Sequence, residues 1–247
     1  MVSGVVPASE EGEMRVSMVR SYGNSASAVE RRYGLFMHIA VLMLALMTVA
    51  NPAWAEATKP VKLVVLGDSL SAGLGLPGQE AFPTKLQKAL QAKGIAIDMT
   101  NAGVSGDTTS GGRDRLDWSV PDGTDGVIIE LGANDALRGI DPDLTRAALT
   151  DIVQRLKARK IPVMLCGMLA PPNYGAEYAA RFNSIYPDLA KKFDVPLYPF
   201  FLDGVAADAR LNQADGIHPT AEGVDIIVGN IMPTVEAFLR NISEQRR

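Results

Sequence analysis

Beyond residue 60 the chain alternates between short apolar runs and longer amphipathic stretches. VKLVVLG (61–67) is a nearly continuous apolar run that stops at glycine, the pattern of a strand buried on both faces. AFPTKLQKALQAKG (81–94) reads as a helix ending at Gly94, and IAIDMTNAG (95–103) as a second strand. GVIIELG (126–132) is a third strand. DPDLTRAALTDIVQRLKARK (141–160) opens with Asp141 as N-cap and Pro142 in the first helical position. Its Leu144, Ala148, Leu149, Ile152, Val153 and Leu156 form one apolar stripe, and Lys and Arg fill its last turn. PVMLCGM (162–168) predicts a fourth strand, 176–193 a helix and VPLYPF (195–200) a fifth strand. The tail from Thr220 to Leu239 is predicted helical, kinked or split at Pro233. Strands that alternate with helices imply a parallel sheet covered on both faces. Ligands in such sheets bind where the strands end.

The first 55 residues read differently. Arg31 and Arg32 precede an uncharged apolar run, Tyr33 to Ala50, followed by Ala53-x-Ala55. That order is a secretory signal cleaved after Ala55. The alternative is a membrane anchor, for which an 18-residue run (33–50) is at the short limit. Residues 1–30 are polar and unpatterned, and Met14 and Met18 lie nearer the basic pair as alternative starts. Cleavage leaves residues 56–247 as one domain, with no stable membrane anchor and a periplasmic or secreted location.

The whole chain carries 24 Lys and Arg against 28 Asp and Glu, net −4. Residues 1–55 hold four of each sign, so their removal leaves the balance unchanged. No basic patch points to nucleic acid. Cys166 is the only cysteine, in an apolar run, and reads as a small buried hydrophobe. His38 lies in the apolar run near the start, so His218 is the single imidazole of the mature chain.

Four loops at the predicted strand ends hold the chemistry: GDSLSAGLG, NAGVSGDTTSGG, LGANDALRG and DGIHP. Gly73-x-Gly75-x-x-Gly78 spells a dinucleotide fingerprint, but it begins six residues after the strand end and contains Pro77. The stretch from Gly106 to Arg113 approaches a phosphate loop but lacks the Lys-Ser/Thr pair. One mature histidine, one cysteine and scattered carboxylates make no recognisable metal set. Acyl transfer remains. A serine hydroxyl needs a base, histidine is the usual one, and a carboxylate must fix its tautomer. Ser69 directly follows a buried strand, and Asp215 lies three residues before His218. A tetrahedral oxyanion also needs donors. Asn134 offers an amide after strand three, and Gly106 a backbone N–H after strand two. Asp68 reads as a turn residue bonding backbone N–H groups.

VVLGDSLSAGLG, NAGVSGDTT, ELGANDALRG and DGIHPT together resemble the four blocks of the SGNH, or GDSL, hydrolases, over essentially all of 60–240. The likeness is to the secreted bacterial thioesterase, lysophospholipase and arylesterase branch. It implies a flavodoxin-like three-layer α/β/α sandwich with five parallel strands, no cofactor and no metal. It implies Ser69 as nucleophile, an oxyanion hole of the Ser69 N–H, Gly106 N–H (rather than Gly103) and Asn134 amide, and Asp215 and His218 completing the triad. One departure is GAND, where relatives often have GGND. The expected substrates are small acyl esters, thioesters or lysophospholipids. Leu169, Pro171, Pro172 and Tyr174 could wall an acyl chain. A carbohydrate O-deacetylase and a non-catalytic binding module on the same fold are the alternatives.

Overall fold

The structure, a computed structural model, describes Met37 and residues 59–246. The signal segment and its cleavage after Ala55 lie outside the described residues, as does His38.

Five strands, β1 (Val61–Gly67), β2 (Ile97–Gly103), β3 (Gly126–Glu130), β4 (Val163–Cys166) and β5 (Leu197–Tyr198), form one sheet in the order β2-β1-β3-β4-β5. Every pairing is parallel. The helices are α1 (Ser69–Ala72), α2 (Phe82–Ala92), α3 (Thr109–Asp114), α4 (Leu116–Ser119), α5 (Ala133–Leu137), α6 (Pro142–Ala158), α7 (Gly175–Asn183), α8 (Ile185–Phe193) and α9 (Ala221–Gln245). Helices α2 and α9 pack together on one face, and α3, α6 and α8 on the other. Leu63, Val64, Val65 and Leu66 are therefore all buried, although their side chains alternate between faces. Each such side chain contributes about 1.5–3 kcal/mol when fully buried. This is the flavodoxin-like three-layer sandwich. Cys166 is fully buried in β4, and burial pushes its thiol well above the usual range.

Several elements differ in detail from the sequence pattern. Only Leu197 and Tyr198 join the ladder as β5, because Pro196 and Pro199 flank them and neither has an N–H to donate. Residues 176–193 are two helices that meet at Ser184. Pro187 cannot bond back to the Asn183 carbonyl, which ends the first helix. The tail, in contrast, is one helix through Pro233. Its buried face runs past the proline without a gap, with Val228, Ile231 and Met232 before it and Val235, Phe238 and Leu239 after it. That burial offsets the missing hydrogen bond. In α6, Asp141 caps the helix as expected by accepting from the Asp143 N–H at 3.0 Å. Leu144 falls outside the buried stripe and is 61% exposed. Thr145 is buried instead, and its hydroxyl donates to Asp135 at 3.0 Å.

Candidate active site

The carboxyl ends of β1, β2 and β3 bring three of the four loops together. After Gly67 the chain turns at once into α1. Asp68 caps that helix, its Oδ1 accepting from the Leu70 N–H at 2.9 Å. Ser69, the first helical residue, is 7% exposed. Gly73, at φ 78°, closes the single turn, and its N–H donates to the Ser69 carbonyl at 3.1 Å.

The fourth loop supplies His218 and Asp215. Asn212 and Pro219 pair as an isolated antiparallel bridge, and the Gln213 N–H donates to the His218 carbonyl at 2.7 Å. Gly216 takes a positive φ of 71° inside this tight loop. Asp215 Oδ1 accepts from the Ile217 N–H at 2.9 Å and the His218 N–H at 3.0 Å. Its Oδ2 lies 2.6 Å from His218 Nδ1, and His218 Nε2 lies 2.9 Å from Ser69 Oγ. The two backbone N–H groups and the imidazole hold the Asp215 carboxyl down at about 2.

Asn134 sits in the first turn of α5. The adjacent Asp135 anchors that turn by accepting from the Thr109 N–H at 2.8 Å, the Thr109 hydroxyl at 2.6 Å and Thr145. The positive φ of this turn falls on Gly132, at 119°, where a Cβ would collide with the Tyr186 hydroxyl. Ala133 is already helical, so alanine in GAND leaves the turn intact. The Asn134 amide donates to the Asp107 carbonyl at 2.9 Å and to Asp68 Oδ2 at 3.2 Å. It therefore bridges the loops after β1 and β2.

The two candidate glycines have different jobs. Gly106 has φ 85° in the loop after β2, and its carbonyl accepts from Arg138 Nη2 at 2.8 Å. Gly103 is a close-approach position, where a Cβ would meet the Asp68 carbonyl and the Ala72 backbone. Beneath the Ser69 turn lies a second buried carboxyl. Glu130 Oε2 accepts from the Ser71 hydroxyl at 2.6 Å. Burial, reinforced by Asp68, pushes the Glu130 carboxyl well above the usual range. Burial likewise pushes Asp68 up to about 7, against the opposing hydrogen bonds from Leu70 and Asn134.

A cavity of about 550 Å³ opens beside Ser69, Asn134 and His218. Leu169, Pro171 and Pro172 line it, together with Leu137, Met168, Phe200, Leu202, Ala206, Ala207 and Ile217. Tyr174 stands outside the lining. Its hydroxyl donates to the Leu137 carbonyl at 2.8 Å and its ring lies tilted against Tyr178 with centroids 5.1 Å apart, so it braces the wall from behind. The wall residues from 200–207 were not anticipated. Their only signal was an apolar stretch after the fifth strand, on the ligand edge. The glycine pattern at 73–78 lies beyond α1, not between a strand and a helix. Among the described residues no cluster of three or more His, Cys, Asp or Glu is gathered as a metal would need.

Residues 65–226 match the GDSL-like lipase/acylhydrolase family. The esterase TesA of Pseudomonas aeruginosa is 38% identical over 197 residues, covering 79% of this chain and 96% of its own. The thioesterase 1/protease 1/lysophospholipase L1 of Escherichia coli is 39% identical over 191 residues, 77% of this chain and 88% of that one. The crystal structure of AlinE4, an SGNH-hydrolase family esterase, matches with a TM-score of 0.62 at 46% identity, over 72% of this chain and 96% of AlinE4. On its fold, its four loops and these likenesses, the chain belongs to the GDSL-like lipase/acylhydrolase family and is a carboxylic ester hydrolase.

Proposed function

We propose that the protein is an exported serine hydrolase that cleaves medium-chain acyl esters and thioesters, lysophospholipids among them, through an acyl-enzyme on Ser69. The observation that carries this is the hydrogen-bonded run from Ser69 Oγ through both nitrogens of His218 to Asp215, at the mouth of an apolar cavity. With its proton on Nδ1 and shared with Asp215, the imidazole has Nε2 free to accept from the Ser69 hydroxyl. Ser69 Oγ attacks the acyl carbon while Nε2 takes its proton, and the carbonyl electron pair moves onto oxygen. The N–H groups of Ser69 and Gly106 and the Asn134 amide receive that oxyanion. Its collapse re-forms the carbonyl and expels the alcohol or thiol, which takes the proton from Nε2. Water then repeats the sequence on the acyl-enzyme and releases the acid. Export follows from the proposed signal and its cleavage after Ala55, and places the enzyme in the periplasm or outside the cell.

The lining of the cavity favours an acyl chain over the acetyl group of a carbohydrate deacetylase, because its walls are built from Leu, Met, Pro, Phe and Ile. The test is a series of p-nitrophenyl esters from acetate to palmitate. Chains of about six to ten carbons should outrun acetate in kcat/KM, as expected when apolar contacts add to binding. A steady fall from acetate upward would overturn the acyl-chain reading in favour of the deacetylase.

A further inference from the structure

Arg115 connects α3 to α4, outside the cavity, and is 7% exposed. Its guanidinium reaches three parts of the site at once. Nη2 donates to the carbonyl of Gly67, the last residue of β1, at 2.8 Å. Nη1 donates to the carbonyl of Ala102, near the end of β2, at 2.8 Å, and to the Ser119 hydroxyl at 3.0 Å. Nε donates to the Asp107 carboxylate at 2.5 Å. Gly67 lies two residues before Ser69, and Asp107 immediately follows Gly106.

A buried ion pair is weak evidence for stability, since desolvating two charges costs about as much as their attraction returns. The geometry here gives the pair another use. Strand pairing registers β1 against β2 as far as Gly67 and Gly103, with one more bond from the Val104 N–H to the Gly67 carbonyl at 3.1 Å and one from the Asn101 amide to the Ser71 carbonyl at 3.0 Å. Beyond that point the two chains separate, one into α1 and the other into the loop that carries Gly106. Arg115 spans this divergence. The planar fork suits the task, because its donors point to several acceptors in one rigid arrangement, whereas an ammonium offers three donors at one atom.

We propose that Arg115 is a positioning residue that sets the separation of the Ser69 and Gly106 N–H groups, and so the fit of the oxyanion hole to the tetrahedral intermediate. This rests on the reading of Ser69 as nucleophile. Arg115 touches no substrate, and the acyl cavity is walled by the loops after β3, β4 and β5. Its loss should therefore be felt where the oxyanion forms and little where the chain binds.

The experiment compares wild type with Arg115→Lys in three measurements. These are kcat and KM on a p-nitrophenyl ester, the Ki of a trifluoromethyl ketone carrying the same alkyl chain, and the Ki of the corresponding straight-chain alcohol. The ketone accepts Ser69 Oγ at its carbonyl carbon. Its carbonyl pair becomes an alkoxide in the hole, and the serine proton moves to His218. The alcohol probes the cavity alone. Arg115→Lys should lower kcat about 10–100-fold and weaken the ketone by a similar factor, while KM and alcohol binding stay within about three-fold. A kcat within about three-fold of wild type, or equal losses for ketone and alcohol, would overturn the assignment. If Arg115→Lys gives no cooperatively melting protein, Asp107→Asn is measured in its place, with the same division of outcomes. Ser69→Ala keeps the two levels apart. Full turnover in Ser69→Ala would remove the nucleophile itself, whereas an inactive Ser69→Ala beside an unaffected Arg115→Lys would remove only the role of Arg115.

Discussion

The side-chain amide of Asn134 stands 3.2 Å from the buried carboxyl of Asp68, the residue that caps the Ser69 turn. One hydrogen bond thus sets a proposed oxyanion donor against the helix that carries the proposed nucleophile. Asn134→Ala removes the donor and leaves the cavity walls in place. Its kcat should fall by roughly 10²–10³-fold with KM little changed, the usual cost of one lost oxyanion donor. Steady-state kinetics on a single ester decide this. A kcat within a few-fold of wild type would take Asn134 out of the site.

Two serines share the α1 turn, and they are not equivalent. The Ser69 hydroxyl faces His218, while Ser71 is fully buried and its hydroxyl is bound to Glu130. A fluorophosphonate probe should therefore label Ser69 alone. Ser69→Ala should keep its melting temperature close to wild type and lose both labelling and turnover. Peptide mapping that found the adduct on Ser71 or Ser105 would refute the assignment.

The proposed base is tested by replacing His218 and its partner. Asp215 is held at about 2, so it stays ionised at any pH well above that value. His218→Gln should abolish the activity, since no other group among the described residues stands beside the Ser69 hydroxyl to take its proton. Asp215→Asn should leave a weaker enzyme, since the imidazole remains but its tautomer is less well fixed. Steady-state kinetics on one ester compare the two variants with wild type. Substantial turnover in His218→Gln would mean that another group is the base.

Asp68 makes a prediction about stability. Its folded value of about 7 lies above its ordinary value of 3.8. Between these values the folded chain holds a proton that the unfolded chain has lost. The folded state binds more protons there, so stability should fall as pH rises from about 4 to about 7. Asp68→Asn cannot titrate and should flatten that decline, and it also removes the charge that reinforces the upward shift of Glu130. Thermal melts across this range test it. Parallel pH dependences for the two proteins would show that Asp68 folds with an ordinary carboxyl.

The strands were legible because β1, β3 and β4 are buried on both faces and so appear as nearly unbroken apolar runs, with Lys62 the exposed exception in β1. His218 was legible because outside the apolar run at 33–50 the chain has no other imidazole. Other features left no mark of that kind. The cavity wall at Phe200, Leu202, Ala206 and Ala207 comes from an irregular loop, and irregular loops have no period to read. Arg115 had none either, because two of its four acceptors are backbone carbonyls, which every residue carries. Leu144 misled for a related reason. It lies at the margin of the helical stripe, in the first turn, where one residue's rotation separates core from solvent.

Asp215 and His218 are tied to each other by two hydrogen bonds, one through each carboxylate oxygen, and the Ile217 N–H adds a third to Asp215, all within four consecutive residues. The single direct hydrogen bond from this pair to α1 is the one between His218 Nε2 and Ser69 Oγ. The proposed acid and base therefore form a cassette. A displacement of this segment from Ser69 would break that bond and the one from the Gln213 amide to the Leu74 carbonyl at 2.7 Å, and would leave Asp215 and His218 joined. Asp215 would then still face the Nδ1 side of the ring, so the orientation of the imidazole is set within its own loop and not by the rest of the site.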